Sequence, residues 1–194
     1  MSAAMTTRTP QGTPTASPLI HPMDEFYAQA GRPMPRVERV EAENIPEPQR
    51  SLLVHKGDMT SALTNFHKSD IHLEVIRREM REDAYTREVV LLLDGSDQAV
   101  EFGAIRIYLS LLPSPARRAI LDEHLPLGQI LKEFHVQFES CPKAFLRIES
   151  DDFINRSLRL RESALLYGRR NTLTDPQQRP LAEIVEILPP TPNP

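Results

Sequence analysis

Two charged residues stand inside otherwise aliphatic runs, and their types suit the handling of a small carboxylate. Arg87 heads the run Arg87-Glu88-Val89-Val90-Leu91-Leu92-Leu93, and Glu186 lies between Val185 and Ile187 near the end of the chain. A guanidinium is a planar fork that meets a carboxylate with two charge-assisted hydrogen bonds. A carboxyl group among apolar neighbours has its pKa raised by desolvation, which fits it for proton transfer, and a nearby arginine opposes that shift. The two could therefore serve as anchor and acid/base of a ligand site. They could equally be a buried structural ion pair, or two exposed charges.

Strand periodicity narrows this only in part. Period two puts Arg87 on the face of Val89, Leu91 and Leu93, and Glu88 on that of Val90 and Leu92. Glu186 shares a face with Ala182, Ile184 and Leu188, while Glu183 goes with Leu181, Val185 and Ile187. Both faces are apolar, so alternation leaves open which charge points inward.

Other chemistries find no support in the residues. His67, Asp70 and His72 are close in sequence, but they fall in a helix-to-strand connection and read as solvated loop polars. No Cys pair or His-Glu-x-x-His supports a metal, no glycine-rich loop cradles a phosphate, and no Gly-x-Ser-x-Gly elbow carries a nucleophile. Arg77-Arg78 and Arg117-Arg118 read as solvated faces. No metal, redox group or other cofactor is expected. The single cysteine, Cys141, rules out an internal disulfide, suits a reducing cytosol, and reads as a small core residue. A net charge of -4 argues against a general nucleic-acid binder, which needs a basic surface to displace phosphate counterions. No run of about 18 apolar residues is present, so no membrane span is expected and the protein is placed in the cytoplasm.

The elements that would position these residues follow from local pattern. Residues 1–48 are rich in Pro, Thr, Ser and Ala without a sustained apolar period, and they read as a mostly disordered arm. Residues 49–190 form one domain, and 191–194 a disordered tail. Asp58 is a good N-cap for a helix from Met59 to about His67. Strands are expected over 71–76, 85–94 and 100–109, the last two joined by the Asp94-Gly95 turn. Helices come next over 113–123, with Ala116, Ile120 and Leu121 on one side, and from about Pro126 to Phe134. Strands over 144–148, 163–173 and 181–188 complete the chain. Strands come in adjacent hairpin-like pairs with helices inserted between pairs, which favours an antiparallel α+β sheet over a doubly wound parallel one. Few exposed apolar runs point to a monomer.

These pieces, in order from about residue 50 to 189, resemble the chorismate lyase family, whose members make 4-hydroxybenzoate from chorismate. The resemblance is carried by Asp58-Met59-Thr60, by Arg87 to Gly95, by Leu112-Pro113, by Pro126-Leu127-Gly128, by Tyr167-Gly168-Arg169-Arg170 and by Val185-Glu186. It implies an antiparallel sheet with helices packed on one side and flaps that bury a small aromatic ligand. It also implies a cofactor-independent lyase that eliminates pyruvate from chorismate, feeding quinone biosynthesis. Carried over residue by residue, Arg87 would hold the ring carboxylate and Glu186 would face the hydroxyl side of the ring as acid or base. The backbone amide of Leu127 would help bind the carboxylate, Gly128 would shape that turn, and Met59 would close over the ligand. Arg169 and Arg170 receive no task beyond lining the site. The stretch from Pro180 to Glu186 is one residue longer than in the enterobacterial form, so either a bulge lies there or Glu183 takes the place of Glu186. In this the chain looks nearer the divergent actinobacterial and cyanobacterial-type branch. The effector domains of some bacterial transcription regulators share the same general fold, so a non-catalytic sensor of an aromatic carboxylate is one alternative, and a lyase acting on a related chorismate-derived substrate is another. Such regulators carry a winged helix-turn-helix ahead of the sensor, and the Pro-rich residues 1–48 are not expected to form one.

Overall fold

The computed structural model describes residues 19–96 and 98–190. Seven strands form one sheet: β1 (Val37–Val40), β2 (Ile71–Arg81), β3 (Ala84–Leu93), β4 (Ala99–Tyr108), β5 (Glu139–Glu149), β6 (Leu165–Thr174) and β7 (Pro180–Leu188). Their order across the sheet is β1-β5-β6-β7-β4-β3-β2, and every neighbouring pair is antiparallel. The hairpins β2-β3-β4 and β5-β6-β7 are local in sequence; the β4–β7 pairing joins them. The α+β class with an antiparallel sheet is as the sequence implies.

Helices α2 (Gln49–Leu53), α3 (Met59–His67), α4 (Ser114–Leu121) and α5 (Leu127–Glu133) lie on one face. Asp58 caps α3 by accepting from the Ser61 amide at 2.9 Å, and Lys68, at φ 55°, ends it in the left-handed conformation. Met59 and Leu63 pack on Leu73, Val89 and Leu91, while Ala116, Ile120, Ile130 and Leu131 pack on Tyr85, Ile105 and Ile107. Leu121, expected on the same side as Ala116 and Ile120, is instead exposed.

The opposite face corrects the reading of the arm. Residues 19–48 are ordered: α1 (Met23–Gln29) buries Met23, Phe26 and Tyr27, and β1 extends the sheet by pairing with β5. Together with α6 (Asp152–Ser157), α1 covers Val90, Leu92, Phe102, Val185 and Ile187. A seven-residue helix and a four-residue strand, separated by prolines, are too short to show a period, so composition outweighed packing in the sequence reading. Of the expected arm, residues 1–18 lie outside the described residues, as does the tail 191–194.

Under this second layer Glu88 is fully buried, with neither carboxyl oxygen hydrogen-bonded among the described residues and Arg77 Nε 3.8 Å away. Burial pushes its pKa up to about 7 against the pull of Arg77 and Arg32. A carboxyl whose folded-state pKa is raised contributes stability that is present below its unfolded value and lost as pH rises through the folded one. Glu88→Gln is therefore expected to match the wild type near pH 4 and to exceed it by about 3 kcal/mol at pH 8. Urea unfolding at the two pH values checks this, and a difference that does not change with pH would refute it.

Candidate functional site

The register of four strands gathers charged residues on the face covered by α2–α5. Arg87 on β3 lies opposite Ile105 on β4, Gly103 opposite Glu186 on β7, and Glu186 opposite Arg169 on β6. Partners across an antiparallel pair point to the same face, so Arg87, Glu186 and Arg169 look the same way. The orientation of Glu186 depends on a bulge. Leu173 pairs with Ala182 and Thr174 with Pro180, so Leu181 is the extra residue on β7. Glu183 consequently faces the other layer, where its carboxylate accepts from Tyr108 Oη at 2.8 Å and, with burial, pushes the Tyr108 pKa up to about 12. Glu186, not Glu183, belongs to the site.

A cavity with about 590 Å³ of atom-free space, its mouth included, lies between this face and the helices. Its floor is Val89, Leu91, Ile105 and Ile184, and its roof is Asp58, Met59 and Thr60 on one side and Pro126, Leu127 and Gly128 on the other. All five residues singled out for the site, namely Arg87, Glu186, Leu127, Gly128 and Met59, border it. Gly128 is there for close approach: a Cβ would stand 2.7 Å from Asp58 Oδ1, so only glycine lets α5 meet the cap of α3. Lys132 of α5 adds an ion pair to that cap, its Nζ 3.0 Å from Asp58 Oδ2.

Arg87 is buried and incompletely satisfied. Its Nη2 donates to the Leu125 carbonyl at 3.4 Å, while Nε and Nη1 have no acceptor among the described residues. Burial pushes its pKa down and the neighbouring Tyr85 and Glu123 push it back up; a guanidinium starts so far above neutrality that it stays charged. The contact with Leu125 sets it beside the start of α5, where the Leu127 amide has no acceptor within the helix.

Arg169 is the opposite case. It meets Glu186 in a two-pronged pair, Nε to Oε2 and Nη2 to Oε1, the latter at 3.4 Å. Its remaining donors go to carbonyls of the segment between α2 and α3: Leu53 and His55 at 3.2 Å each, and Gly57 at 3.5 Å. Glu186 is thus a fixed carboxylate whose charge is already compensated.

Residues that sequence reasoning passed over complete the site. Glu101 and Asn171 are buried on the cavity wall, each with an unpartnered oxygen among the described residues, Oε2 and Oδ1. Asn171 Nδ2 donates to Ser140 Oγ at 2.9 Å. Glu101 lies close enough to Glu186 that burial and that neighbouring carboxylate hold its pKa well above the usual range, with Arg169 opposing. The rule that found Arg87, a charge inside an apolar strand, applies equally to Glu101 between Val100 and Phe102. Arg169 gave no such signal, because it is followed by a second arginine. His72, by contrast, pairs with Asp94 at an exposed edge, 2.6 Å apart, away from the cavity. Among the described residues no group of three or more His, Cys, Asp or Glu could hold a metal, and no helix is long and apolar enough to cross a membrane.

Neither a family model nor a curated protein matches the sequence. Solved structures do match its fold. PhnF from Mycobacterium smegmatis superposes with a TM-score of 0.54 at 12% identity over 70% of this chain. This chain spans 65% of the length of that one. The effector domain of the same protein gives 0.51 at 11% identity over 68% of this chain and 88% of its own. The possible transcriptional regulator YydK from Bacillus subtilis gives 0.51 at 10% identity, over 88% of this chain and 92% of that chain. At such identities the likeness defines the fold: a chorismate lyase-like α+β domain, the architecture of the PhnF effector domain.

The buried pair carries a stability prediction. Arg169→Met is expected to lower the unfolding free energy by about 3–5 kcal/mol, because it strands a buried carboxylate. The double variant Arg169→Met/Glu186→Leu should be less destabilised than the sum of its single changes. Urea titration of the four proteins measures the coupling, and strict additivity would show that the two side chains do not act as a unit.

Proposed function

We propose that this domain binds a small carboxylate-bearing molecule, of the size of one ring, in the cavity beneath α3 and α5, and that it acts as a ligand-sensing module. Arg87 carries the reading. A buried guanidinium with two unpartnered N–H groups facing a cavity is costly unless something completes it, and a carboxylate is the group whose geometry does so. The Leu127 amide would be the second donor. Apolar floor residues would pack against the ring, and Met59 would cover it. The sensing role draws its support from the fold held in common with the effector domain of PhnF.

Calorimetric titration of the purified chain with 4-hydroxybenzoate tests the reading. The expected result is saturable binding that Arg87→Met weakens about 10- to 100-fold, the worth of a charged hydrogen-bond pair. Equal affinity in the variant would remove Arg87 from the site and the reading with it.

A second reading, the lyase, has one observation in its favour: every residue that the family resemblance carries over borders the same cavity. Loss of pyruvate from chorismate aromatises the ring, so the site would need mainly to fix the substrate and manage one proton. Glu186, locked by Arg169, would then be a stationary acceptor for the ring hydroxyl. Incubation with chorismate is expected to release 4-hydroxybenzoate and pyruvate in equal amounts, with Glu186→Gln slower by at least about 100-fold while still folded. Binding of 4-hydroxybenzoate without any turnover of chorismate would leave the sensing module alone.

A further inference from the structure

Three buried side chains on the cavity wall carry atoms without hydrogen-bond partners among the described residues: Arg87, Asn171 and Glu101. Once a ligand carboxylate completes Arg87, as in the proposed function on which this inference rests, two oxygens remain. They are Asn171 Oδ1 and Glu101 Oε2.

They do not lie together: Asn171 shares a cross-strand row with Ile184, Ile105 and Arg87, whereas Glu101 lies along the strands from that row. Glu101 is opposite Leu91, four residues along β3 from Arg87 on the same face, which is about 13 Å of strand. Gly103 lies between, and Glu101 leans across it: Oε1 is 3.2 Å from where a Cβ at position 103 would stand. The carboxyl therefore reaches along the cavity wall toward Arg87, leaving the span of one ring with a polar group at each end.

The charges around the cavity are nearly all balanced. Asp58 is paired with Lys132, Glu186 with Arg169, and Arg87 would be matched by the ligand's carboxylate. Glu101 alone has no cation of its own. Burial and Glu186 raise its pKa well above the usual carboxylate range, with Arg169 opposing.

We propose that Glu101 reads the end of the ligand opposite its carboxylate and selects a primary ammonium there, so that the ligand is a small aminocarboxylate. A hydroxyl offers Glu101 a hydrogen without a charge; an ammonium offers three, together with the cation that this buried carboxyl lacks.

The test titrates the full chain calorimetrically at pH 7 with 4-(aminomethyl)benzoate and with 4-(hydroxymethyl)benzoate. The amine is expected to bind at least about 10-fold tighter. Glu101→Gln should abolish the preference, while alcohol affinity stays within about threefold. Equal or tighter binding of the alcohol by the wild type overturns the proposal without need of the variant; so does an amine preference that survives Glu101→Gln. Arg87-dependent binding of both compounds with no preference leaves the carboxylate site standing and removes only the role of Glu101. Binding of neither compound removes both.

Discussion

Arg169 holds together parts of the chain that are far apart in sequence. Its guanidinium takes the Glu186 carboxylate on the neighbouring strand and the carbonyls of Leu53, His55 and Gly57 in the connection between α2 and α3. A fully buried cation tolerates its desolvation only when every donor is used, so this residue fixes geometry in two directions at once. It orients Glu186 in the sheet, and it ties down the segment that leads to Asp58 and Met59. The roof of the cavity is thus anchored to its floor through one side chain. His55 is drawn into the same arrangement: half-buried beside that cation, its imidazole is pushed toward the neutral form.

Around this fixed pair the cavity is electrostatically uneven. At one end Arg87 is a cation with unused donors; at the other, Glu101 is a carboxyl whose pKa is raised by burial and by its neighbour Glu186. The lining between them is largely aliphatic. Such a site favours molecules that are anionic at one end and hydrogen-donating at the other, with an apolar middle. Gly128 makes the enclosure possible, because any side chain there would push α5 away from the Asp58 cap and open the roof.

The layer on the opposite face has a different character. Phe153 is packed edge-on by Tyr27 and Phe102 and carries the guanidinium groups of Arg32 and Arg77 near its ring. Glu88 sits beneath them without direct hydrogen bonds among the described residues. Adjacent positions on one strand, Arg87 and Glu88, thereby serve two separate layers: one charge faces a cavity and the other a core.

Much of the architecture was legible because its signals are local. Asp58 before an apolar-periodic run marks a helix start, and alternation over 85–94 and 100–109 marks a hairpin; both depend on backbone and side-chain preferences that act within a few residues. The site was legible as far as a charge in an aliphatic strand is conspicuous, which singled out Arg87 and Glu186. Which face each charge takes was beyond the sequence, because a bulge at one residue, Leu181, sets the parity of everything after it. The order of residues 19–48 was equally hidden: their helix and strand are too short to show a period and are stabilised by contacts with β5, α6 and the sheet. Arg169 could not be told apart from its neighbour Arg170 until Glu186 and the carbonyls of Leu53, His55 and Gly57 closed around it. The sequence alone determined the elements and which residue types could do chemistry. Only the tertiary structure decided which of those groups are buried, which are satisfied and which still lack a partner, because burial and pairing depend on segments more than a hundred residues apart being brought together.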